Sequence, residues 1–208
     1  MPNSERDTYR RPAAAGRVAR TIEALRANQI DAELVADAAA ARLRVLELIP
    51  EGAEVLLATS RTLEKIGLIA DLEESGRYRA VRPAYLKLDR KADAVQIRKM
   101  RSSPEYVVGS VHAVTEAGQV VIASQTGSQL APYVYGAGKV IWVVGTQKLV
   151  RDLDQATRRV YDYALPLEEA RSRLAYQMGS GVNKLLVVNR ELRAGRTTLI
   201  FVPERLGF

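Results

Sequence analysis

Short apolar runs alternate with helix-period segments along nearly the whole chain, and this alternation restricts the fold more than any other feature. "AEVLLAT" (53–59), "YRAVRP" (78–83), "QVVIAS" (119–124), "KVIWVVGT" (139–146), "KLLVV" (184–188) and "RTTLIFVP" (196–203) read as strands. "KVIWVVGT" is nearly continuous in apolar residues, as strands covered on both faces are, and its Trp142 reads as core. Between these runs, helical periodicity is expected over 13–28 (Val18, Ile22 and Leu25 on one stripe) and over 32–49 (Val35, Ala39, Leu43 and Leu46). Further helices are expected over 60–75, 89–101, 151–163 and 167–176, with Pro166 interrupting the last pair and a short one within "TGSQLAPYVYG". In the middle, "EYVVGSVHAVT" and "QVVIAS" flank the turn "EAG" as two extended segments of a hairpin. The expected fold class is α/β: a mainly parallel sheet flanked by helices, with an antiparallel hairpin. Residues 1–17 are expected to form a flexible basic N-terminus, and 18–208 a single α/β domain that includes the helices over 18–49.

Composition removes several function classes. The chain of 208 residues has no Cys and one His, so thiolate nucleophiles, Cys-ligated zinc or iron–sulfur clusters and multi-His metal sites are excluded. No apolar run approaches the roughly 20 residues that span a bilayer, and the N-terminus lacks the apolar core of a secretory signal; a cytoplasmic protein is expected. The net charge is +7, but it is not organised for nucleic acid. Five arginines fall within residues 1–20. The second cluster, "RKADAVQIRKMR" (90–101), mixes bases with apolar residues at helical spacing and reads as a basic solvated face. No zinc-finger spacing, aromatic-studded strand or recognition helix accompanies it.

In parallel α/β sheets ligands sit outside the carboxyl ends of strands, and two segments meet that description. In "ATSRT" (58–62), Thr59, Ser60, Arg61 and Thr62 stand where a strand turns into a helix, a place that favours anions; alternatively Ser60 only caps the helix. "SQTGSQ" (124–129) repeats the layout, with Gly127 permitting close approach of a ligand to the backbone and Ser128 beside it. It has neither the spacing of a phosphate-binding loop nor that of a dinucleotide fingerprint. Within "HAVTEAG", strand alternation puts His112, Val114 and Glu116 on one face and Ala113 and Thr115 on the other. Glu116 can be a general base or nucleophile, or simply the solvated first residue of a turn closed by Gly118. His112 reads as a hydrogen-bonded strand residue first and a catalyst second. Lys148, in the loop after "VIWVVG", either reaches an anion in the crevice or solvates a surface.

"GSVHAVTEAGQVV", "TGSQLAPYVYGAGKVIWVVGTQKLVRDLDQATRRV" and "LIFVPERLGF", with the upstream "TSRTLEKIGL", together resemble the lactate-utilisation (LUD) domain family over about 54–208. The resemblance implies a NagB/RpiA/CoA-transferase-like fold and a role in converting L-lactate to pyruvate as an accessory subunit beside iron–sulfur partner subunits. It implies a small anionic organic acid, acyl or phosphate ligand, with no cofactor held by this chain and an iron–sulfur or flavin centre on a partner. Residue by residue it carries over Ser60, Thr62, Gly109, Thr115, Glu116, Gly118, Gly127 and Lys148. Glu116 is then the reactive carboxylate, and Ser60, Thr62, Thr115, Gly118, Gly127, Ser128 and Lys148 the ligand-binding set. The alternative is a stand-alone CoA or acyl transferase, or a sugar-phosphate isomerase-like enzyme, using Glu116. His112 stands where the family often has Asn, and Ser128 and Gln129 where it often has Asn-Arg. Both departures fall in the expected pocket.

Overall fold

A computed structural model describes residues 7–208. Its spine is a six-stranded sheet in which every neighbouring pair is parallel. The strands are β1 (Asp31–Leu34), β2 (Glu54–Leu57), β3 (Arg79–Ala80), β4 (Tyr106–Gly109), β7 (Lys139–Gly145) and β10 (Thr197–Val202), in the spatial order β1-β10-β7-β4-β2-β3. The central β7 is the apolar run already noted, and all of it after Lys139 is buried. A second sheet of four strands, in the order β8-β5-β6-β9, holds the hairpin β5 (Ala113–Thr115) and β6 (Val120–Ser124), with β8 (Leu149–Val150) and β9 (Lys184–Val188) outside them. The chain crosses from the large sheet into the small one twice: Ser110–His112 leads from β4 into β5, and Thr146–Lys148 leads from β7 into β8.

Helices cover both faces of the large sheet, as the alternation requires. α1 (Ala15–Ala27) buries Val18, Thr21 and Leu25 against one face. On the other face α2 (Ala38–Leu48) buries Ala41 and Val45. Trp142 is fully buried and meets Tyr133 edge-on, with ring centroids 5.5 Å apart. A third apolar cluster lies under the small sheet, where Val121 and Val150 meet Ala156, Val160 and Tyr163. The last three of these belong to the helical run of α6 (Leu153–Arg158), a wide π-type turn (Arg159–Ala164) and α7 (Leu165–Tyr176).

Four local expectations change. The segment expected as one helix over 32–49 opens as β1, an edge strand on β10, and the helix starts only after Asp37 accepts a hydrogen bond from the Ala40 N–H. A side-chain cap of this kind contributes about 1 kcal/mol. Leu43, expected on the buried stripe, is 62% exposed. The helix over 60–75 is split: α3 (Arg61–Lys65) ends at Gly67, whose φ of +82° ends the helical path, and a π-type turn (Ala70–Glu74) follows. Pro166 does not interrupt α6 and α7; it sits in the first turn of α7, where a missing N–H costs little. "YRAVRP" contributes only the two residues of β3 before α4 (Val81–Tyr85) begins, and α5 (Ala94–Ser102) starts later than expected. Of the expected flexible end, residues 1–6 lie outside the described residues. Tyr9 is already buried at 5% exposure, its ring tilted against that of Tyr163 with centroids 5.6 Å apart.

Candidate functional site

The two crossings between sheets define the floor of a cavity of about 950 Å³ at the carboxyl ends of β2, β4 and β7. Lys148 anchors it. The residue is 3% exposed, and its ammonium lies 3.1 Å from Thr62 Oγ1, 3.0 Å from Ser110 Oγ and 3.0 Å from the Val111 carbonyl, donating to each. Thr62 can accept because its own hydroxyl proton goes to the Leu206 carbonyl at 3.1 Å. The C-terminal turn thus locks the corner, and Gln147 Nε2 donates to the same carbonyl at 2.9 Å. No carboxylate pairs with Lys148 among the described residues. Taking an ammonium out of water costs several kcal/mol when only neutral acceptors replace the solvent. Burial, helped by the Arg159 guanidinium, accordingly pushes Lys148 well below the usual lysine range.

His112 sits on the same floor and receives the Ala123 N–H on Nδ1 at 3.1 Å. Desolvation, then Lys148, then Arg159, push it down to about 3, so it is neutral at physiological pH. Arg159 is fully buried behind the floor; Nη1 donates to the His112 carbonyl, and Nε and Nη2 have no partner. Its guanidinium lies 5.2 Å from the Tyr163 ring and 5.8 Å from the Tyr9 ring, and burial lowers its pKa to about 10. Two buried basic side chains behind one cavity, with no buried acidic side chain among the described residues to balance them, favour a negatively charged ligand.

One side wall comes from α4, α5 and the loop between them, which contribute Arg82, Tyr85, Arg90, Ile97, Arg98 and Arg101 to the lining. The other includes Glu168 and Arg171 of α7, already joined by two hydrogen bonds of 2.8 and 2.6 Å. Glu64, the second lining carboxylate, is bound to Arg61 at 2.5 Å. The basic cluster over 90–101 is therefore not just a solvated face. Ala94, Ile97, Arg98 and Arg101 follow the i, i+3, i+4, i+7 spacing of one helical stripe, and all four line the cavity. That spacing was the available signal for arginines that composition alone leaves on the surface.

Of the residues singled out in the sequence, Ser60, Thr62, Ser128 and Lys148 line the cavity; Glu116, Thr115, Gly118 and Gly127 are not among its lining residues. Ser60 holds the N-cap position of α3 but makes no side-chain cap. The loop at Gly127 satisfies itself: the Gly127 N–H donates to Ser124 Oγ at 2.9 Å, and Thr126 and Ser128 hydroxyls lie 3.1 Å apart. The Thr-Glu-Ala-Gly turn faces the opposite way, onto α1. Glu116 accepts from Arg17 Nε at 2.6 Å, and Asn28 Nδ2 donates to the Ala117 carbonyl at 3.0 Å. Thr115 Oγ1 is buried and accepts the Gln119 N–H at 3.0 Å, closing the hairpin. Gly118 has φ +76°, and a Cβ there would lie 2.7 Å from the Ala24 carbonyl carbon. The turn is a docking device for the first helix, and of these segments only "TSRT" and "QTGS" supply residues to the cavity lining.

A sequence model of the LUD domain matches residues 18–196. The chain belongs to the LUD-domain family. Among solved structures, a DUF162 family protein from Deinococcus radiodurans is similar, with a TM-score of 0.56 at 12% identity, covering 92% of this chain and 99% of that one. That likeness shows a shared fold. No curated protein matches the sequence. Among the described residues of this LUD protein no group of three or more His, Cys, Asp or Glu could hold a metal ion, and no helix is long and apolar enough to cross a membrane.

Proposed function

We propose that this LUD protein binds a small anionic organic acid or acyl ligand at the Lys148 corner and supports oxidation of L-lactate to pyruvate as an accessory subunit. The observation that carries the binding role is the buried ammonium of Lys148 at the cavity floor, held by three neutral acceptors and matched by no carboxylate among the described residues. A ligand carboxylate arriving there supplies the missing charge, and hydroxyls of Ser60 and Ser128 stand on the walls to orient it. The pathway assignment rests on family membership.

Lactate oxidation releases two electrons and two protons per pyruvate formed. Neither Cys nor a second His is present in this chain, so it carries no Cys-ligated cluster, and in this reading the electrons pass to an iron–sulfur or flavin centre on a partner. What this chain contributes is orientation of the acid and exclusion of water around it. The transferase or isomerase alternative needs a reactive Glu116 beside the ligand, whereas that carboxylate is held by Arg17 outside the cavity lining. Calorimetric titration with L-lactate and pyruvate tests the reading. Binding that falls at least about tenfold in Lys148→Met, as loss of a charge-assisted contact implies, supports it. No binding, or equal binding by wild type and Lys148→Met, overturns it.

A further inference from the structure

The cavity is much larger than a three-carbon acid needs; volumes of this order hold drug-sized ligands. Its cations are also unevenly distributed. Arg90, Arg98 and Arg101 line one wall without a salt-bridge partner among the described residues, while both acidic side chains of the lining, Glu64 and Glu168, are already engaged by Arg61 and Arg171. Arg101 is fixed rather than loose. Its guanidinium lies 4.9 Å from the Tyr85 ring, and its Nε is buried with no hydrogen-bond partner. Three uncompensated guanidinium groups on one concave wall exceed what a single carboxylate at Lys148 can neutralise. Planar guanidinium forks match the oxygens of phosphate groups. Between the arginines the wall exposes Tyr85, Leu86 and Ile97, apolar surface suited to an organic body rather than to a bare ion.

We infer that the natural ligand is a phosphate-bearing organic molecule, its acid or acyl end at Lys148 and at least two phosphate groups on the Arg90, Arg98 and Arg101 wall. This rests on the proposed anion-binding role of the cavity and extends it from a small acid to an acid carried on a phosphorylated handle. Charge alone makes the handle bind tightly, so its affinity depends on ionic strength much more steeply than that of L-lactate.

Titration of the full chain with inorganic pyrophosphate, ADP, orthophosphate and L-lactate tests it. Pyrophosphate or ADP is expected to bind at least about tenfold tighter than orthophosphate, and Arg98→Gln with Arg101→Gln to remove most of that gain, about tenfold per arginine, while L-lactate binding, centred on Lys148, falls much less than that of pyrophosphate or ADP. Arg98→Gln alone, at an exposed position without a partner, gives the same direction should the double variant fold poorly. ADP binding tighter than pyrophosphate assigns the body of the ligand to the Tyr85 wall; equal affinities assign the gain to the diphosphate. The inference is overturned if pyrophosphate and ADP bind no tighter than orthophosphate, if the arginine variants leave them unaffected, or if a short oligonucleotide outcompetes ADP. Should L-lactate then still depend on Lys148, the anion-binding role survives and only the phosphorylated handle is lost. Loss of L-lactate binding instead removes the role itself.

Discussion

The two ends of β5 make opposite uses of polar residues. Beyond its carboxyl end, Thr115, Glu116 and Gly118 form a turn that fastens α1 through an ion pair, amide contacts and a glycine fitted against backbone. Before its amino end, Ser110, Val111 and His112 line a cavity, and Ser110 and Val111 accept from a buried lysine that precedes the neighbouring strand β8. At the turn, charge is paired and partly exposed, so it holds structure. At the crossing, charge is buried and unpaired, so the folded state carries a cost that a ligand can relieve. An arresting local motif thus marks a joint, and the site is built from residues far apart in the sequence.

The sharpest way to break this contrast is to exchange what each end loses. Lys148→Met should weaken anion binding about ten- to a hundredfold, the range for loss of a charge-assisted hydrogen bond, with a melting temperature equal to or above that of the wild type in the absence of ligand. A clear fall in thermal stability would mean that Lys148 is a structural residue. Gly118→Ala should do the reverse: a Cβ at positive φ, 2.7 Å from the Ala24 carbonyl carbon, costs about 1–3 kcal/mol, read by urea denaturation, with affinity per folded molecule unchanged.

The pH dependence divides the two ends next. His112 is held near 3 in the folded protein against 6.5 for the ordinary side chain. Between those values the unfolded chain binds the extra proton, so stability rises with pH across that window and the penalty is complete below it. Lys148, also lowered, adds a second rise that begins well below its ordinary value of 10.5 and ends near it. Melting curves should show the acid slope reduced in His112→Gln and the alkaline slope absent in Lys148→Met; unchanged slopes contradict the burial described. The smallest effect is expected at the turn's ion pair. Glu116→Gln removes a contact whose side chains are 30% and 39% exposed, worth roughly 0.2–1 kcal/mol, and should leave anion affinity where it was. A large loss of binding there would return Glu116 to the site.

Much of the architecture was legible because it is written locally. The apolar continuity of β7, the hairpin around Gly118 and the switch from strand to helix at Ser60 each follow from neighbouring residues. β1 was hidden because only Ala32 of its four residues is buried, so its sequence carries no strand period and merges with the helix that follows. The site was harder to read for a different reason. Whether Lys148 is a surface lysine or a buried one depends on Thr62, Ser110 and Val111, and nothing local to "GTQK" reveals them. Glu116 attracted attention through its short-range spacing to Gly118, yet its partner Arg17 lies in α1. The arginine stripe of α5 lay between these cases: its period was visible, but the cavity it faces was not.

The central claim is that negative charge binds at the crossing between the sheets and not at the hairpin turn. Anomalous diffraction from crystals soaked in bromide tests it directly. The account predicts the strongest bound anion beside Lys148, within reach of Ser60 and Ser110. An empty floor with the strongest bromide at the Arg17–Glu116 turn would contradict it.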